Sequence, residues 1–248
     1  MMKKLYSVLL ILILLSCDSE NGSDCLKTTG VEVTKNYALS NFSKVVVHEG
    51  IQLEIKQGAE NNIQIKYGKN LINDIYTEID AGQLVIGNHI SCNLIRDFEP
   101  ARITLTAIDI TEIRNASQFP VFSTESIQFN SLTLISEDFY IDAVNVGDFN
   151  LKIENQSLEI ISNNVSNFTI SGSTENLFVG FYSGQGKFNG ELLIAQNVGI
   201  FHRGINTMTV NPIEKITGEI RGAGNVIALN KPPIVDVKEY YTGTLIFR

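Results

Sequence analysis

A short unit that recurs every 19 residues is the feature that most limits the possible folds of this chain. Leu132, Leu151 and Ile170 keep this interval, and so does a second set of apolar residues, namely Phe139, Leu158 and Leu177. Two markers with one period indicate that a whole strand-turn-strand unit repeats. Such a unit cannot close a core alone, but stacked units pair their backbones and bury a shared apolar column. The repeat therefore predicts an all-β fold of the β-solenoid type, similar to a right-handed parallel β-helix.

Before the repeats, apolar residues alternate with polar ones in shorter runs. This alternation is clear in residues 51–56 and 63–67, and it is typical of strands that bury one face. Turn-forming residues follow at 57–62 and 80–82, and the second turn has the position of a hairpin loop. We therefore expect a more irregular N-terminal portion that contains antiparallel strands.

The first residues resemble the export signal of a bacterial lipoprotein. Two lysines precede an apolar run at residues 5–15, which is too short to span a bilayer because a membrane helix needs roughly 20 apolar residues. The run ends just before Cys17, in an order similar to the lipobox. This resemblance implies cleavage before Cys17 and acyl chains, such as palmitate, that anchor the protein to a membrane. The alternative is an ordinary secretory signal with a cysteine at this position by chance.

The chain divides into a predicted signal peptide at 1–17, a flexible tether at 18–40 and a β-solenoid domain at 41–248. The tether is predicted because residues 18–24 are polar, without apolar periodicity, and cannot bury a face. Acidic residues after Cys17 are similar to the export signal of surface lipoproteins in Bacteroidetes, which favours the outer membrane and, more weakly, exposure at the cell surface. Outside the cytoplasm Cys25 and Cys92 could pair, and the sequence leaves this open.

Charge argues against a nucleic-acid partner. The formal net charge is −8, and lysine and arginine form no cluster that could follow a phosphate backbone. Asparagine occurs 24 times, which favours many tight turns, because its side chain bonds to the local backbone.

No arrangement of residues predicts catalysis. Asp138 and Asp142 are the nearest candidates for a carboxylate pair, but four residues of extended chain separate them by roughly 13 Å. His48, His89 and His202 have no spacing typical of metal ligands, and His202 is interpreted as an edge or turn residue. We therefore predict no catalytic residue, no metal and no cofactor.

Aromatic residues on the outer face of the repeats are the candidate ligand contacts. Alternation turns Leu177, Val179 and Phe181 to one face and leaves Phe178 and Tyr182 on the other. The same argument turns Tyr140 outward. Exposed rings on a sheet can stack on sugar rings or dock a partner, so Tyr140, Phe178 and Tyr182 are predicted to bind a ligand. Covering by another part of the chain or by an oligomer partner is the alternative, and the oligomeric state stays open.

The segment "FSKVVVHEGIQLEIKQGAENNIQIKYGKNLINDIYTEIDAGQLVI" resembles the start of the head GIN domain family of autotransporter adhesin heads. Later repeats in that family centre on Ser-Gly-Ser-Gly turns, and residues 170–173 and 221–224 fit this pattern. Residues 114–117 and 154–157 are degenerate versions, in which asparagine replaces glycine. The resemblance runs from residue 41 to the C-terminus and implies a β-helix without an established catalytic set.

These observations favour a lipid-anchored module of the cell envelope that serves adhesion or recognition and is not an enzyme. The expected partners are the membrane, through the lipid, and a surface glycan or an envelope protein. A structural envelope component that binds another protein is the first alternative. A polysaccharide-active enzyme with a β-helix fold is the second.

Overall fold

The computed structural model describes residues 24–90, 92–97, 99–137 and 144–248. Cys17 and Tyr140, two residues singled out from the sequence, lie outside the described residues, as do Asp138 and Asp142.

Within these ranges the chain forms seventeen strands and two 3₁₀ turns. The turns are η1 (Asp24–Leu26) and η2 (Ile72–Asp74). The strands are β1 (Glu32–Ala38), β2 (Lys44–Val47), β3 (Ile51–Gln57), β4 (Asn62–Gly68), β5 (Ile75–Asp80), β6 (Gln83–Asn88), β7 (Ala101–Ala107), β8 (Glu112–Asn115), β9 (Val121–Ile127), β10 (Ser131–Ser136), β11 (Phe149–Ser162), β12 (Asn167–Phe181), β13 (Lys187–His202), β14 (Met208–Ile220), β15 (Val226–Ala228), β16 (Ile234–Glu239) and β17 (Leu245–Phe247).

The fold is all-β, as predicted, and its strands form one curled sheet with parallel and antiparallel pairs. The N-terminal portion contains the antiparallel pairs, which join β1 to β4, β4 to β7 and β5 to β6. This agrees with the expectation from the shorter alternating runs. Whether the chain winds as a right-handed solenoid stays a prediction.

Successive repeats of the second half pair in parallel. β11 pairs with β12, β12 with β13, β13 with β14, and β14 with both β15 and β16. One row of this ladder runs through Leu158, Leu177, Val198, Ile216 and Val235. The 19-residue spacing of Leu158 and Leu177 is therefore the spacing of neighbouring strands.

The first step of the predicted repeat is wrong. Leu132 pairs with Leu158 and not with Leu151, whose partner is Ile170. The reason is a longer connection, since residues 137–148 separate β10 from β11, whereas only residues 163–166 separate β11 from β12. The extra residues shift the first interval away from 19.

A continuous apolar column fills the space enclosed by these strands. Phe149 and Phe168 are fully buried and stack with ring centroids 4.8 Å apart, and Phe181 contacts Phe168 at 5.9 Å. Burying an aromatic side chain of this size contributes roughly 1.5–3 kcal/mol to stability. Each repeat thus covers the apolar side chains of the next.

The predicted flexible tether is wrong for residues 24–40. Residues 32–38 form β1, which pairs along its whole length with β4. Cys25 and Cys92 form a disulfide, and the guanidinium of Arg96 donates hydrogen bonds to the carbonyl oxygens of Asp24, Lys27 and Cys92. Backbone pairing and a covalent link therefore order a polar segment that buries almost no side chain.

Two glycines mark places where neighbouring repeats approach too closely for a side chain. Gly172 has φ +109° and Gly218 has φ +130°. A Cβ on Gly172 would lie 2.1 Å from the carbonyl oxygen of Ile153, and one on Gly218 would lie 1.9 Å from that of Ile200. Only glycine fits these two positions.

Replacing either glycine by alanine is expected to destabilise the fold. For Gly172→Ala and Gly218→Ala we expect a loss larger than the ~1–2 kcal/mol of a left-handed backbone conformation alone, because the new methyl also meets the adjacent strand. Gly82→Ala is the matched control, since Gly82 has φ +80° but no atom within 4 Å of an added Cβ. Urea unfolding measures the free energy of unfolding of the three variants. Equal losses for Gly82→Ala and Gly172→Ala would contradict the close contact between Gly172 and the adjacent strand.

Removing the disulfide is also expected to destabilise the chain. The bond links residues 67 positions apart, so the Cys25→Ser/Cys92→Ser variant should lose about 2–4 kcal/mol through the larger entropy of the unfolded state. The measurement is urea unfolding with and without dithiothreitol. Reductant should lower the midpoint of the natural chain and leave the double variant unchanged. Equal midpoints for the natural chain in both conditions would argue against the bond.

Candidate binding surface

Alternation along β12 turns two aromatic side chains outward, as the sequence indicates. Leu177, Val179 and Phe181 are buried, whereas Phe178 is half-buried and Tyr182, just after the strand, is 41% exposed. Tyr182 and Phe178 therefore lie on the outer face of the sheet. Their role in ligand binding stays a prediction, as does that of Tyr140.

Phe201 is a third outward ring, which the sequence analysis missed. It lies on β13 opposite Gly180, and its ring centroid is 5.1 Å from that of Tyr182. It could have been found from the sequence, because Ile200 and His202 flank it on the buried side of the same alternation. We call Phe178, Tyr182 and Phe201 together the aromatic surface.

Glycines let these rings lie flat against the sheet. Phe178 is paired with Gly199, where an added Cβ would be 3.1 Å from the Phe178 ring. A Cβ on Gly180 would be 2.9 Å from the rings of both Phe178 and Tyr182. The rings therefore cover exposed backbone as well as offering a surface, and Phe178 has a structural role alongside any contact with a ligand.

A shallow polar groove of about 480 Å³ begins beside Phe178. Asn176 and Asn197 follow one another along it, and the side-chain amide of Asn197 donates to the side-chain oxygen of Asn176 at 3.2 Å. Glu159 and Lys215 lie at its sides and carry opposite charges. A groove of this kind offers hydrogen-bond donors and acceptors next to an aromatic ring, which is the combination that sugar hydroxyls and sugar faces require.

His202 is a core residue, so its interpretation as an edge or turn residue is wrong. The side chain is fully buried in the row between Phe181 and Ile220, and its Nε2 lies 2.9 Å from the carbonyl oxygen of Asn206. Burial lowers the pKa of His202, so the ring is neutral at pH 7. A neutral imidazole fits an apolar column, and its position indicates packing.

The other histidines do not form a site with it. Burial lowers the pKa of His48, while His89 stacks on Tyr76 with ring centroids 4.4 Å apart. Among the described residues, no three histidine, cysteine, aspartate or glutamate side chains lie together in a way that could hold a metal ion. In the same part of the chain, no helix has the length and apolar character needed to cross a membrane.

A family model matches most of this chain. Residues 41–232 match the family model described as "Putative auto-transporter adhesin, head GIN domain". No curated protein matches the chain.

Solved structures share the fold at low sequence identity. A crystal structure of a "putative adhesin" from Bacteroides fragilis NCTC 9343 is 19% identical, with a TM-score of 0.79, and the match covers 89% of this chain and 99% of that one. A "putative lipid binding protein" from Parabacteroides distasonis ATCC 8503 is 13% identical, with a TM-score of 0.63 and coverage of 89% and 98%. A "putative adhesin" from Parabacteroides merdae ATCC 43184 is 15% identical, with a TM-score of 0.58 and the same coverage.

The family model spans most of the chain, including β2 to β15 and the whole aromatic surface, so the family assignment does not depend on the distant structural matches. The protein belongs to the head GIN domain family of adhesin-like proteins.

Proposed function

We propose that this protein is a lipid-anchored recognition module of the cell envelope and that it binds glycans through the aromatic surface. The observation that carries the proposal is the group of three rings, Phe178, Tyr182 and Phe201, on the outer face of a sheet whose backbone is fixed by parallel pairing. Rigid rings lose little conformational entropy on binding and present flat faces to sugar rings. The description of two structurally similar proteins as adhesins supports the same use.

Within this surface Tyr182 is the main ligand contact. It is more exposed than Phe178, which covers Gly199, and its hydroxyl adds a hydrogen-bonding group at the edge of the ring. Tyr140 is proposed as a further contact. The rigidity of the platform follows if successive repeats wind as a right-handed β-solenoid, which we propose for the domain.

The front of the chain supplies the anchor in this proposal. Residues 1–17 act as the signal peptide, Cys17 carries the acyl chains, and the short segment up to residue 23 is the remaining tether. The family assignment supports a cell-surface or envelope protein. Attachment to the outer membrane, with the domain facing the medium, fits the acidic residues after Cys17.

A structural role in binding another envelope protein is the alternative, and one observation favours it. Within the described residues, β16 pairs only with β14, and it exposes Ile234 and Val235. An edge strand with open backbone groups can accept a strand from a partner. No observation favours the alternative of a polysaccharide-active enzyme.

Substitution of Tyr182 tests the glycan proposal. On a glycan array, Tyr182→Ala should reduce binding about fivefold, because the loss of one stacking ring removes ~1 kcal/mol. Tyr182→Phe should retain most of the binding. Tyr37→Ala is the control, since Tyr37 is an exposed tyrosine on β1, away from this surface.

The glycan array and a crosslinking experiment together distinguish the glycan proposal from the structural alternative. No signal for the natural chain with any glycan would overturn the glycan proposal. A stoichiometric partner protein recovered from crosslinked envelopes, and lost when Ile234→Lys is introduced, would favour the structural alternative.

Replacing Cys17 tests the anchor. The Cys17→Ser variant should move from the membrane fraction to the soluble fraction and lose the mass of the lipid, because the thiol that accepts the diacylglycerol is absent. Cell fractionation and mass spectrometry of the mature protein measure this. An unmodified natural N-terminus would disprove lipid anchoring while leaving the glycan proposal intact.

A further inference from the structure

A second group of side chains continues the aromatic surface towards the last strands. Tyr182, Arg203, Arg221 and Tyr240 occupy equivalent positions, because each follows a residue of the row Phe181, His202, Ile220 and Glu239. Their backbone amides donate to the preceding strand at 2.7–2.9 Å. Side chains at such positions are about 4.8 Å apart from strand to strand.

Two arginines on neighbouring strands make this region unusual in an acidic protein. The chain carries a net charge of −8, yet Arg203 and Arg221 lie side by side. Like charges in neighbouring strands are destabilising unless something neutralises them. Arg203 is exposed, and within the described part of the chain its guanidinium has no hydrogen bond or ion pair.

Arg221 is held in one orientation. Its Nε donates to the carboxylate of Glu219, and its guanidinium carbon lies 4.2 Å from the centre of the Tyr240 ring. The hydrogen bond from Arg221 lowers the pKa of Glu219, which is therefore ionised at neutral pH. Glu219 offsets one of the two positive charges, and Arg203 supplies the charge that is left over.

Exposed rings surround the arginines. Tyr240 is 54% exposed and Tyr241 is 68% exposed, and with Phe201, the two arginines and Glu219, whose carboxylate is paired with Arg221, they border an open groove of about 600 Å³. Phe201 also belongs to the aromatic surface, so the two regions are continuous. We call Phe201, Arg203, Arg221, Tyr240 and Tyr241 the arginine-tyrosine patch.

We infer that the arginine-tyrosine patch binds the carboxylate of an acidic sugar, such as a uronic or sialic acid, within a glycan that also stacks on Tyr182. This inference rests on the proposed glycan function and names the class of glycan. Guanidinium groups bind carboxylates through paired hydrogen bonds, and tyrosine rings accept the apolar face of a sugar. A highly charged polymer fits less well, because the acidic remainder of the protein repels it.

The experiment measures binding by isothermal titration calorimetry with the Cys17→Ser chain, which is otherwise complete. The probes are trigalacturonate against its methyl ester, and 3′-sialyllactose against lactose. We expect at least one acidic probe to bind at least tenfold more tightly than its neutral counterpart. Arg203→Gln should remove most of that difference, and Arg203→Lys should restore part of it.

Arg102→Gln is the matched control, because Arg102 is also exposed but lies on β7 beside Glu32. Arg102→Gln should leave the affinities for the acidic probe and for its neutral counterpart unchanged. Thermal midpoints of the arginine variants should equal that of the natural chain, since neither side chain is buried.

The outcomes distinguish the two proposals. If neutral glycans bind as well as acidic ones, and Tyr182→Ala but not Arg203→Gln weakens them, the acidic-sugar inference is wrong and the glycan proposal stands. If lactose 3′-sulfate or inorganic phosphate binds as tightly as the carboxylated probes, the site is a general anion site and the inference is also wrong. If these probes and a glycan array give no binding at all, both proposals fail.

Discussion

Register between parallel strands is the constraint on which the rest of this structure depends. β11 and β12 match residue by residue, and β12 to β14 do so on either side of a few register shifts, because buried backbone amides and carbonyls must find partners inside the fold. Matching in turn decides which side chains meet. Phe149 lies on Phe168, and Leu158 lies on Leu177, so like residues stack in rows and the core becomes a column. Glycine is required where neighbouring strands approach too closely for a side chain, as Gly172 shows.

The same constraint builds the outer face. Successive side chains along a strand point to opposite faces of the sheet, so residues two positions apart share a face. Phe178 and Phe201 are offset by two residues along paired strands. Phe178 therefore lies opposite Gly199, and Phe201 lies opposite Gly180. The aromatic surface needs no pocket, since pairing alone holds the rings in place. This explains how a scaffold without an enclosed cavity at the rings can still present a defined set of side chains.

The sequence predicts which side chains face inward or outward, because this depends on alternation along a strand. It does not predict which strands pair when the connections between them differ in length. Inward and outward faces of β12 could be predicted, because polarity alternates with period two. The partner of Leu132 could not, because any aliphatic residue fits the column and the longer connection after β10 contains apolar residues, such as Phe139, that keep the 19-residue interval by sequence position alone. β1 was missed for a different reason, since its side chains are exposed and only its backbone is paired. His202 was missed because a neutral histidine can replace an apolar residue in the row.

The position of the binding residues along the stack follows from the order of the strands. The disulfide and β1 secure the N-terminal portion, whereas Tyr182, Arg203, Arg221 and Tyr240 belong to the later repeats. Irregular spacing separates these residues in the sequence, since register shifts interrupt the pairing of β12 with β13 and of β13 with β14. Parallel pairing nevertheless brings them into one row. If Cys17 carries the lipid, the chain enters the fold at the secured portion, and the stacked repeats carry the row away from the end of the chain that is attached to the membrane. A ligand on another surface could then reach the arginines without approaching the acidic tether.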